Sequence, residues 1–524
     1  MKKILLFIAV FLVVPLSMSA QSTAAADSSE TLALLKARLE RWDVEQIWPA
    51  VRKALAKQPQ DADLLETAAL IAFYRGDYQK SLSLIKQSVA IAGEDPHRSG
   101  LALFIEQTIN ILASSQRHET PHFVIFLDGG QDGVLIDYLT DALEKTYATM
   151  ARQFGFRPRE KVRVELFPDT KTFYQASTLS VRDIEVTGAV GLTKFNKLQF
   201  LSPRALMHGY RWLDAISHEY MHYLIVKMTG NNAPIWFHEG LAKYEETRWR
   251  DGPGYLSALY QTLLARAQAD QNLIAFSEME PSLIHLETPE EVQLAYAQAA
   301  SAIEFIIHSA GYEGLKQVMD TMARARSKGA GEAIQQVLGL GVSEFEQKWA
   351  KFLASKELKP QAGVRVYHYR VKEGRADAQR MDLEEIKSLV ARNRTHLGDR
   401  LKQKGRAGAA VIEYRRALSE TQDSVPVMNR LSSALIDLGL DQDALGVLKR
   451  ILRLAPDHPA AYTQLGRVYL KREDFQQAKA AFEQSIQINP FNPEAHVGLA
   501  SARAVLGDSA GSVKEQDIAR TLIK

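Results

Sequence analysis

His218 and His222 stand four residues apart in a run from Asp214 to Met228 whose other face is apolar. On a helix that spacing puts both imidazoles on one side, one turn above the other. Two neutral imidazoles so placed hold one Zn2+ with bonds of about 2.0–2.1 Å. Glu219 lies one residue round from the first histidine. It misses the metal, reaches a water at the open position, and takes the proton as that water attacks a carbonyl. A catalytic zinc ordinarily has a third protein ligand. The chain contains no cysteine, so any metal must sit on histidine and carboxylate side chains. The helix is expected to end near Thr229-Gly230-Asn231-Asn232, where Gly and Asn suit a C-cap. After Pro234, the run Trp236 to Glu246 opens a second helix, and an acidic residue in its first turn can face back onto the first. Glu239 is the candidate third ligand.

The elements that must carry these residues lie between about Pro121 and Leu358. Phe123 to Leu127 is a short apolar strand ended by Asp128-Gly129-Gly130, followed by an amphipathic helix from about Val134 to Phe154. Val162 to Phe167 alternates with period two, as a half-buried strand does. Ala189 to Leu192 and Lys197 to Leu201 form a strand pair with a turn at Phe195-Asn196. From Trp212 onward the pattern is helical. Strands first and helices after predict an α+β domain rather than a wound parallel sheet. Val364 to Val371 then alternates as a lone strand in a linker.

Helical segments flank this domain. The chain is helical up to about Ser115, and Ala62 to Pro96 forms two amphipathic helices joined at Gly76-Asp77-Tyr78. Trp48 and Leu55 suggest a preceding, more degenerate hairpin. Near the C-terminus, units start at Ala391, Val425, Pro459 and Pro493, 34 residues apart each time. The third has Tyr462, Leu465, Gly466, Tyr469, Ala478, Phe482 and Pro490 at regular offsets, where small residues let two helices approach and large ones fill the groove. Leu431, Leu435, Ala444, Leu448 and Pro456 match them in the second unit; Leu397, Gly398, Leu401, Ala410, Tyr414 and Ala417 do so in the first. The last unit keeps Leu499, Ala500 and Ala519 but has Arg503 where an aromatic is usual, which suits a cap. This stretch resembles tetratricopeptide repeats. The resemblance implies a concave surface for a peptide or protein partner.

The central segment resembles the gluzincin metallopeptidases, specifically the peptidase MA-like domains. The likeness is carried by His218-Glu219-Tyr220-Met221-His222 followed by Trp236, Glu239, Gly240, Leu241 and Ala242. It implies a zincin-like fold with His218, His222 and Glu239 as ligands and Glu219 as general base. It also implies that an edge strand near Gly188 to Leu192 pairs with an extended peptide, as β-augmentation allows. Tyr296 stands where several relatives carry an oxyanion-stabilising Tyr or His, at the expected opening of a helix. One departure is Lys243, which occupies the place where many gluzincins have a carboxylate orienting a histidine. Glu246 and Asp214 are the candidates to replace it. His238 is about 100° round from Glu239 and fits a packing role better than a substrate-side one.

Positive and negative charges nearly cancel, at 64 against 62, so no electrostatic footprint for nucleic acid exists. Lys2 and Lys3, an apolar run from Ile4 to Leu16, and the small residues Ser17, Ser19 and Ala20 match an export signal. The run is short of the about 20 residues a bilayer span wants, and no later stretch supplies one. The expected organisation is a signal at 1–20, helical hairpins at 27–116, a zinc metallopeptidase-like domain at 120–358, a linker at 359–385 and repeats at 386–524. The expected function is an exported, periplasmic or secreted zinc endopeptidase whose repeats hold a protein substrate or partner. The alternatives are a repeat scaffold or chaperone-like factor with an inactive zinc domain, and a zinc amidase acting on cell-wall peptides.

Overall fold

The computed structural model describes residues 23–523 apart from 94, 178, 180–188, 251, 253, 284–285, 326–328, 362, 365, 367–370 and 372–380. The expected export signal, Gly188 at the start of the expected edge strand, and most of the expected strand from Val364 to Val371 lie outside the described residues. Val371 itself forms an isolated bridge with Leu206. The architecture is mostly helical around one small mixed sheet.

Five strands make the sheet: β1 (Ser115–Glu119), β2 (Phe123–Asp128), β3 (Val162–Phe167), β4 (Gly191–Lys194) and β5 (Lys197–Leu201). Their order is β1-β2-β3-β5-β4. The central β2, β3 and β5 run parallel, and both outer strands are antiparallel to their neighbours. β1 was not expected. Its sequence Ser-Gln-Arg-His-Glu has no apolar alternation, because an outer strand with a largely exposed face buries little. β4 begins two residues later than expected. The turn is where the sequence put it, with Phe195 and Asn196 both left-handed (φ 54° and 62°), as a tight two-residue hairpin requires.

Register puts the two sheet faces to different uses. Phe123 pairs with Val162, and Val164 with Leu198, so these apolar residues share one face. Against it packs helix Trp212–Thr229, with the Tyr220 and Phe123 rings 5.5 Å apart. The opposite face carries Arg163, Glu165, Lys197 and Gln199, and the N-terminal helices cover it. Five described helices precede the sheet, Thr23–Glu40, Val44–Lys57, Ala62–Tyr74, Tyr78–Ala92 and Pro96–Leu112, and of these Ala62–Tyr74 and Tyr78–Ala92 meet that face through Phe73 and Tyr78. The Asp61 and Asp77 carboxylates cap the third and fourth, accepting from the Leu64 and Lys80 amides.

Glu165 and Lys197 have no exposure at all, so their charges must be met inside the protein. Glu165 accepts from Arg163 Nε at 2.6 Å, from Gln199 Nε2 at 3.2 Å and from the Tyr78 hydroxyl. Lys197 Nζ lies 3.4 Å from the same carboxylate, donates to the Tyr78 hydroxyl at 2.5 Å, and sits 4.3 Å from the Phe73 ring centroid. Burial works to raise the Glu165 carboxyl, but Lys197 and Arg163 outweigh it and hold the group at about 2. Burial pulls Lys197 down to about 8, with Glu165 opposing the shift. The hairpin Ala62–Ala92 is thereby bonded to the sheet through its own Tyr78.

The C-terminal helices pair as Leu389–Gln403 with Ala407–Glu420, Val425–Asp437 with Asp441–Leu454, Pro459–Lys471 with Phe475–Ile488, and Pro493–Val505 with Ser509–Ile523. They dock on the chain just before helix Trp212–Thr229. Tyr210 N–H donates to the Ile488 carbonyl at 3.0 Å and Trp212 Nε1 to the Ile486 carbonyl at 3.3 Å. Arg211 reaches Asp457 at 2.6 Å and Gln484 at 3.0 Å. A second contact joins the Tyr138 hydroxyl to Glu515 at 2.7 Å, where Glu515 also meets His496 at 2.6 Å. Among the described residues no helix is long and apolar enough to cross a membrane.

Glu165→Gln leaves Lys197 and Arg163 as buried cations without an anion, which costs about 3–5 kcal/mol. The denaturation midpoint of the purified variant should fall accordingly, and the double variant Glu165→Gln/Lys197→Met should recover most of the loss. A midpoint unchanged in the single variant contradicts this account of the interface.

Candidate metal centre

Helix Trp212–Thr229 is held at both ends. Its first turn is held by the repeat contacts above, and Asp214 in that turn accepts from Trp249 Nε1 at 3.1 Å and Arg250 Nε at 2.9 Å. Its end is where the sequence put it: Gly230 is left-handed (φ 60°) and its N–H bonds back to the Val226 carbonyl. The partner helix, Ile235–Glu245, lies beside it. Gly240 lets this second helix press onto helix Pro289–Arg324, since a Cβ there would meet the Ala299 carbonyl oxygen at 2.4 Å. Glu239 is thereby set opposite the two histidines.

The three side chains converge. His218 Nε2 and His222 Nε2 are 3.1 Å apart, and Glu239 Oε2 is 3.4 Å from the first and 3.5 Å from the second. A tetrahedral ion with bonds of about 2.0–2.1 Å separates its ligand atoms by about 3.3–3.4 Å. The triangle has that size, and the two nitrogens and one carboxylate oxygen suit a divalent cation. Each side chain is partly open, at 13%, 13% and 20% exposure, so the cluster is reachable from solvent.

Charge couples the three groups to one another. Burial pulls the His218 imidazole down, but Glu239 and Glu246 outweigh it and hold the group up at about 9. Burial likewise opposes the Glu239 carboxylate, yet the His222 and His218 rings keep it well below the usual carboxylate range. Of the two carboxylates considered for orienting a histidine, Glu246 is the one at hand. Its Oε2 is 3.3 Å from His218 Nδ1, without hydrogen-bond alignment, and 2.7 Å from Lys243 Nζ. Asp214 is committed to Arg250 instead.

Glu219 is buried, and its Oε2 accepts from the Thr193 hydroxyl on β4 at 2.7 Å. Tyr296 faces the same space. Burial, followed by the charges of Glu239 and Glu219, pushes its hydroxyl well above the ordinary value, so it stays a proton donor. Its helix does not open at Ala295, as expected, but at Pro289, where Thr288 and Glu291 form a capping box. His238 lies with its ring 5.6 Å from that of His222, beside the site. A second group, His208, Asp382 and Glu385, also gathers ligand atoms where the linker meets the loop before helix Trp212–Thr229. Asp382 there is already bound by Arg430. Thr193 and Gly191 escaped sequence reasoning, because nothing in their spacing from Glu219 shows that β4 crosses the helix at that residue.

Residues 142–355 match the model of the Peptidase MA superfamily, and residues 459–492 match that of the tetratricopeptide repeat. Protein CTR9 homolog of Arabidopsis thaliana is 29% identical over 141 residues, covering 27% of this chain and 12% of that protein. Hsp70-Hsp90 organizing protein of Triticum aestivum is 27% identical over 114 residues, or 20% of each chain. The chain thus spans less than a third of the length of the curated relatives it matches. Among solved structures, a thermophilic TPR protein of Thermus thermophilus, TTC0263, aligns at 24% identity and a TM-score of 0.24, over 25% of this chain and 74% of that one. The chain carries a Peptidase MA superfamily domain, with tetratricopeptide-type repeats following it.

Proposed function

We propose that this chain is an exported zinc-dependent endopeptidase whose helical repeats bring a protein substrate or partner to the catalytic domain. The observation that carries this reading is the triangle of His218, His222 and Glu239 with Glu219 beside it. Zinc bound there supplies a Lewis acid that polarises the scissile carbonyl and makes water acidic enough to attack near neutral pH.

The remaining work falls to the chain's own groups. Glu219 takes the proton from the attacking water and returns it to the leaving amine. Tyr296, kept protonated by burial and by Glu239, donates to the oxygen on which negative charge develops. Glu246, with its carboxylate 3.3 Å from His218 Nδ1, steadies that imidazole by its charge where many gluzincins have a carboxylate at the place of Lys243. β4, at one edge of the sheet, offers its outer side to an extended peptide. The export signal read from Lys2 to Ala20 supports a periplasmic or secreted setting.

Purified protein should bind one zinc per chain, and His218→Ala or His222→Ala should abolish it. Glu246→Gln should weaken zinc about 10–100-fold; a variant that binds as tightly as the parent removes Glu246 from the site. Glu219→Gln should keep its zinc but lose chelator-sensitive casein hydrolysis by at least about a hundredfold. Equal digestion by parent and variant sinks the assigned base. Stable partners on the repeats with no cleavage by the parent favour the scaffold alternative.

A further inference from the structure

The β4–β5 hairpin is tied to the active-site helix at one end and to the N-terminal helices at the other. Two residues before Phe195, the Thr193 hydroxyl lies 2.7 Å from both the carbonyl and Oε2 of Glu219. A hydroxyl has one proton to give, and the charged carboxylate is the stronger acceptor. Two residues earlier on the same strand face, Gly191 leaves room for the same side chain. A Cβ there would sit 2.7 Å from Glu219 Cγ and 2.8 Å from Oε1. The carboxylate is thus laid across the backbone at Gly191 and pinned by Thr193.

At its tip, the hairpin presents Phe195 in the left-handed region, where a bulky side chain stays only if its surroundings hold it. The N-terminal helices do so. Phe195 packs against Phe73, Tyr74 and Phe104 at ring-centroid distances of 5.3, 5.5 and 6.0 Å. Asn196 reaches Glu45 at 3.4 Å and Lys197 is bonded to Tyr78. The hairpin spans only from Gly191 to Leu201, so Thr193 stands two residues from the gripped Phe195 on the same strand.

We propose that Thr193 is a positioning residue that fixes the Glu219 carboxylate, and that the N-terminal helices act on the same carboxylate by gripping the Phe195 tip. The kinetic half of this proposal rests on the peptidase reading above; the positional half stands on the contacts alone. The N-terminal helices are then a brace for the active site rather than a separate partner-binding module.

Thr193→Val keeps the shape and removes the proton, Thr193→Ser keeps the proton, and Phe195→Ala releases the tip. With zinc content equal to the parent's, Thr193→Val should lower kcat about tenfold with KM within about twofold, and Thr193→Ser should stay within about twofold of the parent. Phe195→Ala should lower kcat in the same direction, and the double variant Thr193→Val/Phe195→Ala should lose no more than Thr193→Val alone. Crystal structures of the metal-free variants give a readout independent of turnover: Glu219 should leave Gly191 in Thr193→Val and Phe195→Ala, and stay in Thr193→Ser. A Thr193→Val protein with Glu219 in place and kcat unchanged overturns the role of Thr193. Fully additive losses in the double variant overturn the brace. If the parent shows no hydrolysis, the peptidase reading fails, while the metal-free structures still decide where Glu219 sits and what holds it.

Discussion

A glutamate with no exposure sits in the middle strand of the sheet, and much of the architecture follows from the need to meet its charge. Glu165 shares one sheet face with Arg163, Lys197 and Gln199, a face that would otherwise be too polar to bury. Covering it requires an element that brings an aromatic wall and a hydroxyl of its own, and helices Ala62–Tyr74 and Tyr78–Ala92 bring Phe73 and Tyr78. Ion pairs of this kind add little net stability over an apolar core, but they tolerate no missing partner. That intolerance fixes how the N-terminal helices meet the sheet. It also fixes the β4–β5 hairpin, since Lys197 opens β5 directly after the turn.

The opposite sheet face serves helix Trp212–Thr229, which is the meeting point of the molecule. Its first turn is bound by the repeats through Arg211 and Trp212, its apolar side lies on the sheet, and its metal-site side looks toward Ile235–Glu245. Holding three ligand atoms within about a tenth of their spacing demands rigid support for both helices. Gly240 supplies one part of that support, by letting the second helix lie against the Ala299 backbone. Asp214, bound by Arg250 and Trp249, supplies another at the start of the first helix. The repeats are therefore part of the frame around the site.

Much of this was legible in the sequence because it depends on local periodicity. The four-residue spacing of His218 and His222, the Gly230 stop, the Phe195-Asn196 turn and the 34-residue repeat each follow from backbone geometry within a few residues. β1 was invisible because an outer strand with Ser, Gln, Arg, His and Glu has no buried face to impose alternation. The start of helix Pro289–Arg324 was misplaced because Tyr296 drew attention to the middle of the helix, while its cap lay eight residues earlier at Thr288.

By itself, then, the sequence determined which helix bears the histidines, that Glu239 lies on a second helix able to face them, though in its second turn rather than its first, and that helical repeats follow. Those are statements about neighbours along the chain. Only the tertiary structure decided that Glu246 rather than Asp214 stands behind His218, that Thr193 and Gly191 enclose Glu219, and that Phe195 ties the N-terminal helices to the hairpin beside the candidate metal centre. Each of these joins residues on different elements, and side-chain period says which face a residue occupies but not which other face will be packed against it.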